Sequence, residues 1–302
     1  MAMFLGVDIG GTKTAVCVGD CNGNILRKEK FATGGPEETI QKIVELGRTL
    51  LRGRSPKAVG ISCGSPQDSA RGLIQAPPNL PAWVDVPITD CLSQAFGAPA
   101  FLANDANACA LAEWKYGAGQ GTKNMIFLTF GTGMGAGLIL NGRLYEGTCG
   151  MAGEVGHMGL TPHGPEGYGK AGSFEGYCSG GGIVKLARQM GTEFATTKDI
   201  CDAAKAGDPR AMAVIEESAA RLGQGLSLLI DLFNPQKIVI GSIFARAEAL
   251  FRPKMEEVIR AQALEANRRV CQIVPAQLGE KIGDMAAVSV AVTGWEDLQN
   301  VR

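Results

Sequence analysis

Two glycine-rich hairpins, far apart in the chain, limit the folds that this sequence can adopt. In the first, Phe4–Val18 (FLGVDIGGTKTAVCV), an apolar run enters a glycine turn and an alternating run leaves it. The second, Met125–Leu140 (MIFLTFGTGMGAGLIL), repeats this arrangement. Apolar runs and period-two alternation around a glycine turn predict two strands joined as a hairpin. A repeat of the pattern roughly one small domain's length later predicts two related lobes.

The chemistry of the two turns points to a phosphate. Adjacent glycines tolerate positive φ and leave backbone N–H groups open, so a small anion could be held there with the Thr12 hydroxyl and the Lys13 ammonium. Asp8, on the strand before the first turn, suits a hydrated Mg²⁺. The candidate phosphate-binding residues are Gly10, Gly11, Thr12 and Lys13 in the first turn and Gly131, Thr132 and Gly133 in the second. The alternative is a plain type I′ turn, and the Walker pattern GxxxxGK[ST] is absent.

Charge and composition argue against several classes of protein. With 45% hydrophobic and 20% charged residues among 302, the chain has the composition of a globular protein. A net charge of −1 and the lack of a Lys/Arg cluster argue against nucleic-acid binding. The first residues lack the basic segment of a signal peptide, and no apolar run approaches ~18 residues, so we expect neither export nor membrane association. The nine cysteines never form CxxC, which favours reduced thiols and a cytoplasmic protein.

The periodicity of the rest of the chain predicts an α/β fold. Predicted strands follow at residues 24–31, 58–62, 99–103, 237–240 and 271–275. Predicted helices cover residues 36–53, 106–116, 180–190, 197–206, 208–233 and about 245–266, and a last helix begins at Asp284. We expect the last helix to pack back on the first lobe.

Three further stretches carry polar groups where ligands commonly bind. The proline-rich loop Pro77–Trp83 is too rigid for a linker, and the glycine-rich region Glu146–Gly182 exceeds the ~15 residues of an ordinary loop. Asn104 and Asp105 follow a predicted strand, and ligands bind at the carboxyl ends of strands in open α/β sheets. Asp105 could instead only cap the helix that follows it.

Six short segments occur in order along nearly the whole chain. They are DIGGTKT at Asp8–Thr14, PNLPAW at Pro78–Trp83, NDAN at Asn104–Asn107, GTGMGAGL at Gly131–Leu138, GEVGH at Gly153–His157 and NP at Asn234–Pro235. Together they resemble the ROK family (repressors, open reading frames and kinases), whose kinase members phosphorylate sugars. The resemblance implies an actin-like, ribonuclease H-like fold: two α/β lobes, each with a mixed sheet, and a cleft between them. The lobes would be residues 1–116 with 285–302, and residues 117–284.

The resemblance also implies a function and its residues. Both hairpins would bind the phosphates of ATP, with Mg²⁺, and Asp105 would be the catalytic base. The residues that would hold the sugar are Asn79, Asn104, Asp105, Glu154, His157 and Glu175. Carboxylates and amides are the groups that a substrate with several hydroxyls needs. The implied protein is an ATP-dependent sugar kinase that phosphorylates a hexose or hexose derivative, at the 6-hydroxyl by family habit, and forms a homodimer.

Other functions remain open at this stage. A kinase for fructose, N-acetylmannosamine or a β-glucoside would need a similar polar pocket. A non-catalytic sugar-sensing module is opposed by the intact Asp105 and the two phosphate hairpins. A sugar-responsive repressor would need an added DNA-binding domain of about sixty residues, for which we expect no room because the first hairpin begins at Phe4. An actin-like or chaperone-like ATPase would not need the sugar-binding set.

The sequence departs from the family pattern in two places. Zinc-binding members carry CxCGxxGCxE after the histidine, whereas this chain has EGYGKAGSFE, with Glu166, Tyr168 and Ser173 in place of the three cysteines. We therefore expect no zinc and a sugar loop organised without metal, in which hydrogen bonds or packing of Tyr168, Phe174 and Tyr177 set the orientation of His157. A site rescued by Cys149, Cys178 or His163 is the alternative. The second departure is IVIGS at Ile238–Ser242, where members more often have a glycine run, so the adenine contacts are less certain than the phosphate contacts.

Overall fold

The computed structural model describes residues 2–300 and contains fifteen strands and ten α-helices in that range. The strands are β1 (Phe4–Ile9), β2 (Lys13–Gly19), β3 (Ile25–Ala32), β4 (Val59–Cys63), β5 (Gln67–Asp68), β6 (Leu73–Ile74), β7 (Val86–Pro87), β8 (Ala100–Asn104), β9 (Met125–Phe130), β10 (Met134–Leu140), β11 (Arg143–Tyr145), β12 (Glu166–Gly167), β13 (Lys170–Ala171), β14 (Lys237–Ile240) and β15 (Gln272–Pro275). The helices are α1 (Pro36–Leu51), α2 (Ile88–Phe96), α3 (Asp105–Tyr116), α4 (Phe174–Tyr177), α5 (Gly180–Gln189), α6 (Thr197–Lys205), α7 (Pro209–Phe233), α8 (Ile243–Gln262), α9 (Glu265–Val270) and α10 (Ile282–Asn300).

The first of two compact units contains the residues up to Gln120, the segment Glu146–Ala152 and the chain from Leu278 on. Its main sheet has the order β3-β2-β1-β4-β8, with antiparallel pairs up to β1 and parallel pairs after it. Helix α10 packs on β1, β4 and α3, as predicted for the last helix. The approach is close at Gly60, where a Cβ would lie 2.1 Å from a backbone oxygen of α10, so only glycine fits.

The second unit contains Gly121–Tyr145 and Gly153–Gln277 and repeats this sheet topology. Its main sheet has the order β11-β10-β9-β14-β15, again with antiparallel pairs up to the central strand and parallel pairs after it. The predicted α/β class, with one mixed sheet in each of two lobes, is confirmed. Helix α7 has the long apolar face that packs against α8 and α6.

The boundaries of the two units differ from the predicted ones by a few residues. The first unit extends to Gln120 rather than to residue 116, and it begins again at Leu278 rather than at residue 285. Glu113 explains both shifts, because its carboxylate accepts hydrogen bonds from the backbone N–H groups of Ala118 and Leu278. These bonds attach the chain near Gln120 and near Leu278 to the first unit.

Two helix predictions were wrong. The region predicted as one helix over residues 245–266 forms α8 and α9, with the break at Ala263 and Leu264. Asp231 of α7 stabilises this break by accepting the Leu264 amide at 3.1 Å. The sequence analysis also missed α2, a helix of nine residues that begins directly after a proline. None of the helices within residues 2–300 is long and apolar enough to cross a membrane.

Candidate active site

The first glycine turn is held from behind and leaves its outer face open. The backbone of Gly10 donates to the carbonyl of Lys13 at 3.1 Å and closes the turn. Thr33 on the neighbouring segment donates its hydroxyl to the Gly10 carbonyl at 2.7 Å and its N–H to the Thr12 carbonyl at 3.1 Å. Gly11, Thr12 and Lys13 are exposed. Of the first-turn residues predicted to bind phosphate, Gly11, Thr12 and Lys13 therefore lie on the exposed face, whereas the Gly10 N–H is used within the turn.

The predicted sugar loop of the first unit packs on that turn. A Cβ placed at Gly11 would lie 2.6 Å from the Cβ of Asn79, so this glycine is required for the loop to approach. Trp83 anchors the same loop: its ring is buried, and its Nε1–H donates to the Gly34 carbonyl at 3.3 Å. Asn79 itself remains exposed, beside the first glycine turn.

Three parallel strands bring further predicted residues to one edge of the same sheet. In the register of β1, β4 and β8, Ile9 lies beside Cys63, and Cys63 lies beside Asn104. Asp8 is half-buried near this edge and accepts a hydrogen bond from Ser62. Because the carboxyl ends of parallel strands meet here, Asp8 and the residues that follow β8 share one surface.

The negative charge at this edge of the sheet favours the binding of a cation. Burial, followed by the negative charges of Asp284 and Asp105, raises the pKa of Asp8 to about 6, while Ser62 and Lys30 act in the opposite direction. Asp8 therefore lies in the negative field of two neighbouring carboxylates, Asp284 and Asp105. Mg²⁺ is commonly held by one or two carboxylates together with substrate phosphates, so Asp8, close to the turn predicted to bind phosphate, fits that ion.

Asn104, and not Asp105, caps helix α3. The Oδ1 of Asn104 accepts from the N–H of Asn107 at 2.7 Å, and the helix begins at Asp105, one residue earlier than predicted. Asn104 is buried. Because its Oδ1 caps the helix, its amide N–H groups are the ones that could bind a ligand. The Asp105 carboxylate accepts from the N–H of Ala106 at 2.8 Å and is exposed. Desolvation by the surrounding protein raises the pKa of Asp105, and the Ala106 hydrogen bond offsets part of this effect.

The sequence analysis missed Asp284 as a member of this group. Asp284 is buried in the first turn of α10 and forms an ion pair with Lys28 of β3. The preceding residue, Gly283, is so close to Asp8 that a Cβ there would lie 3.2 Å from the Asp8 carboxylate. An acidic residue in a helix's first turn is ordinary, so only the folded chain reveals this neighbour.

In the second unit, Glu175 supports the second glycine turn. Gly131 donates to the carbonyl of Gly133 at 3.1 Å, and Thr132 at the tip is exposed. The Oε2 of Glu175 accepts the Met134 amide at 2.9 Å and would contact any Cβ at Gly133. Glu175 was predicted to bind a sugar hydroxyl, and one of its oxygens is already occupied by the turn.

Two helix N-termini lie beside the same turn. Gly180, the first residue of α5, donates its N–H to the Gly131 carbonyl at 2.7 Å. Ser242, which precedes α8, has its hydroxyl 3.3 Å from where a Cβ of Gly131 would lie, and this hydroxyl makes no capping bond. The uncapped N–H groups and the dipole of α8 favour a negative ligand. Ser242 has φ +55°, a backbone conformation that glycine adopts more easily than serine. It lies in the segment Ile238–Ser242, where the resemblance led us to expect more glycines.

The GEVGH segment lies against β10 through its two glycines. A Cβ at Gly153 would be 2.1 Å from the Ala136 carbonyl oxygen, and one at Gly156 would be 2.2 Å from that of Met134. Gly153 also has φ +93°. The intervening and following residues, Glu154 and His157, are exposed.

The loop that would carry zinc in other members is ordered by hydrogen bonds and packing. Ser173 is buried, caps α4 by accepting the Gly176 amide and donates to the Gly167 carbonyl. Tyr177 contributes a hydrogen bond of 2.9 Å to Thr161, and its ring is buried. Within residues 2–300, no group of three or more His, Cys, Asp or Glu side chains is arranged to hold a metal.

Tyr168, one of the three residues predicted to orient His157 by packing, contacts its imidazole. Its side chain is 73% exposed, and its ring meets the ring of His157 edge-on at 6.3 Å. Phe174 and Tyr177, the other two predicted packing residues, are buried. Of the cysteines considered for a rescued site, Cys178 is buried and its thiol lies 3.5 Å from the carbonyl of Ser218.

Comparisons with known proteins agree on one family. The family profile described as the ROK family matches residues 4–293. The glucokinase of Thermotoga maritima is 32% identical over 306 residues, covering 95% of this chain and 96% of that protein. A ROK hexokinase from Thermus thermophilus superposes with a TM-score of 0.87 at 32% identity, covering 98% of this chain and 99% of that one. A ROK family glucokinase from Streptomyces griseus in complex with glucose and AMPPNP gives a TM-score of 0.76 at 34% identity, covering 97% and 100%.

Proposed function

Because the chain belongs to the ROK family, we propose that it transfers the γ-phosphoryl group of ATP to the 6-hydroxyl of a hexose or hexose derivative, with Asp105 as general base. It is an ATP-dependent sugar kinase of the hexokinase and glucokinase type, since relatives with these activities align over nearly its whole length. The acceptor hydroxyl and the identity of the base are what the proposal adds. The observation that carries it is the exposed carboxylate of Asp105 at the sheet edge that also contains Asp8.

The role of Asp105 follows from its position and its proton affinity. As the sugar oxygen attacks the γ-phosphorus, the bond from that phosphorus to the β–γ bridging oxygen breaks and ADP leaves. The hydroxyl proton must go to a base, and a carboxylate with a raised pKa accepts it more readily than an ordinary one. The bond from Ala106 N–H fixes the orientation of that carboxylate.

The phosphates of ATP would be held by the two glycine turns. In the first unit the open donors are the N–H groups, the Thr12 hydroxyl and the Lys13 ammonium, and in the second they include the N-terminus of α8. Asp8 would hold Mg²⁺, which neutralises the charge of the phosphate chain when bound. Phosphoryl transfer depends mainly on such positioning and neutralisation, so this chain's residues supply what the reaction requires.

The sugar would be recognised by amides and carboxylates from several elements. In the first unit these are the exposed Asn79 and the amide N–H groups of Asn104. In the second they are Glu154, His157 and the oxygen of Glu175 that does not bind Met134. Because carboxylates only accept and amides also donate, this set can pair with hydroxyls in either role.

A panel of sugars with ATP and Mg²⁺ tests the proposal. Glucose, fructose, mannose, N-acetylglucosamine, N-acetylmannosamine and a β-glucoside are each assayed for ADP release, and the product is examined by ³¹P–¹H correlation NMR. We expect sugar-dependent ADP release and coupling of the new phosphorus to the two protons on carbon 6. Phosphate on carbon 1 would overturn the assigned hydroxyl, and tight sugar binding without ADP release would favour a sensing module.

A further inference from the structure

The second unit contains a small pocket apart from its own glycine turn. It has a volume of about 220 Å³ and lies among the C-terminal half of α8, helix α9 and strand β15. This is smaller than the roughly 300–1,000 Å³ of sites for drug-sized ligands, so it suits a compact ligand. Its charged lining consists of Arg252, Arg260, Arg268 and Glu256.

Arg252 and Glu256 neutralise each other. Arg252 donates to Glu256 at 2.6 Å and to Glu248 at 2.8 Å, and it also donates to the Ile273 carbonyl at 3.0 Å. Its guanidinium is therefore fixed, and the carboxylate of Glu256 in the pocket wall is already paired. The positive charge available to a ligand comes from the other two arginines.

Arg260 and Arg268 lack such partners. Neither forms an ion pair with any residue in the described part of the chain. The Nε of Arg268 is moreover buried without a hydrogen-bond acceptor. A buried donor of this kind is costly unless a ligand or water supplies the acceptor. The neutral thiol of Cys271, whose pKa burial raises to about 12, adds no competing negative charge.

We propose that this pocket binds a phosphate dianion, either inorganic phosphate or the phosphate group of a small phosphomonoester. A guanidinium presents parallel N–H donors that match two phosphate oxygens, and two guanidiniums match a double negative charge. The Nε of Arg268 gains its missing acceptor in the complex. The pocket is not the transfer site, since Arg260 lies near the C-terminal end of α8, whereas the Gly131 turn lies beside the N-terminal end of that helix.

Isothermal titration with inorganic phosphate tests this assignment, at constant ionic strength with chloride as the balancing anion. The variant Arg268→Gln removes the charge and the buried donor. The matched control is Arg269→Gln, which removes the same charge from the next residue, 71% exposed and paired with Glu265. We expect about a tenfold or larger loss of phosphate affinity in the first variant, as for the loss of a charge-assisted hydrogen bond, and less than a twofold change in the control.

For a third variant we expect the opposite change, a gain in phosphate affinity. Glu256→Gln removes the only carboxylate of the pocket lining and releases one side of Arg252, so phosphate should bind more tightly. A merely structural role for the cluster would not produce this gain. If Arg268→Gln fails to fold, Arg268→Lys keeps the charge but loses the planar donor pair, and it should still bind phosphate more weakly than the parent.

Titration with glucose 6-phosphate separates the two sources of the dianion. Arg268-dependent binding of both ligands supports a general phosphate site, and Arg268-dependent binding of the ester alone supports a phosphomonoester site. Equal losses in Arg268→Gln and Arg269→Gln would show only diffuse charge attraction and would overturn the proposal. Phosphate affinity that none of the variants changes would overturn it as well. These measurements use binding alone, so their outcome is independent of kinase activity.

Discussion

The Oε1 of Glu113 lies 2.9 Å from the amide nitrogen of Leu278, a residue 165 positions later in the chain. Its other oxygen accepts the Ala118 amide at 2.8 Å, and the side chain is fully buried. Ala118 lies just before the chain leaves the first unit, and Leu278 is where it returns. One buried carboxylate therefore fixes the chain at both of these boundaries, and a Cβ at Gly117 would lie only 2.1 Å from it.

Replacing Glu113 by glutamine should destabilise the protein. Glutamine has the same size, but its NH₂ group would face one of the two backbone N–H donors and leave it unpaired in the interior. We expect a loss of about 1–3 kcal/mol in the free energy of unfolding. Urea denaturation measures it, with Glu29→Gln on the exposed face of β3 as the control. Equal midpoints for the two variants would show that the Glu113 hydrogen bonds do not stabilise the crossings.

Asp105→Asn should fold and bind sugar but turn over slowly. Asparagine preserves the shape and can still accept the Ala106 amide, while it cannot take the hydroxyl proton. We expect a loss of roughly 10²–10⁴-fold in kcat, the usual contribution of a general base. Steady-state assays and sugar titration measure both quantities, with Asp90→Asn, exposed on α2, as the matched control. A kcat near that of the parent would remove Asp105 from the role of base.

Asp8→Asn should stabilise the protein when Mg²⁺ and nucleotide are absent. The pKa of Asp8 is raised from 3.8 to about 6, so the folded state prefers the protonated carboxyl. Asp8 therefore does not lower the free energy of unfolding below about pH 4, and its destabilising effect grows as the pH rises from there through 6. Since one pKa unit corresponds to about 1.4 kcal/mol, the cost at pH 7.5 is of the order of 1–3 kcal/mol.

Unfolding in urea with EDTA, at pH 4.5 and at pH 7.5, measures this effect. The difference in stability between Asp8→Asn and the parent should be small at the lower pH and favour the variant at the higher one. The same variant should lose Mg²⁺-dependent nucleotide binding, because the proposed ligand is gone. A variant that is less stable than the parent at pH 7.5 would show that the negative charge of Asp8 does not destabilise the folded state.

The comparison of sequence with structure shows which features a pattern can reveal. The hairpins were predictable because strand periodicity and glycine turns are local, and the repeat fixed the fold class. The partners of individual side chains were not predictable. Asn104 and Asp105 are both good helix caps, and only the position where β8 ends decides that Asn104 takes this role.

Contacts between residues far apart in the sequence could not be predicted either. Asp284 approaches Asp8 because α10 packs on β1, and no spacing in the sequence records that contact. Glu175 belongs to a recognisable segment, but its bond to the Met134 amide depends on how the loop returns to β10. The break between α8 and α9 is stabilised by Asp231, more than thirty residues away, so periodicity alone predicted one helix.

Ser242→Gly should stabilise the protein. Ser242 has φ +55° and ψ −112°, a conformation that costs a side chain energy but that glycine adopts freely. Its hydroxyl makes no capping bond, so little is lost. We expect a gain of about 1 kcal/mol, measured by thermal or urea unfolding. Ser179→Gly is the matched control, because Ser179 has φ −138° and caps α5 through the Gly182 amide, so its loss should destabilise by a few tenths of a kcal/mol. Changes of the same sign in both variants would contradict this explanation.

The last prediction is that the loop after His157 needs no zinc. A tetrahedral site requires four deprotonated ligands, and Tyr168 and Ser173 keep their protons at neutral pH. Ser173 already uses its hydroxyl to cap α4 and to bond Gly167, and Glu166 is exposed. The loop has structural bonds of its own, notably between Thr161 and Tyr177.

Elemental analysis of protein purified without chelator should therefore find far less than one zinc per chain, and chelation under excess Mg²⁺ should leave activity unchanged. Tyr177→Phe should instead weaken the loop, with a loss of about 1 kcal/mol, because it removes the hydroxyl that bonds Thr161. The control is Tyr145→Phe, an exposed tyrosine of β11. Near-stoichiometric zinc, with activity that chelation abolishes and zinc restores, would show that this loop depends on the metal after all.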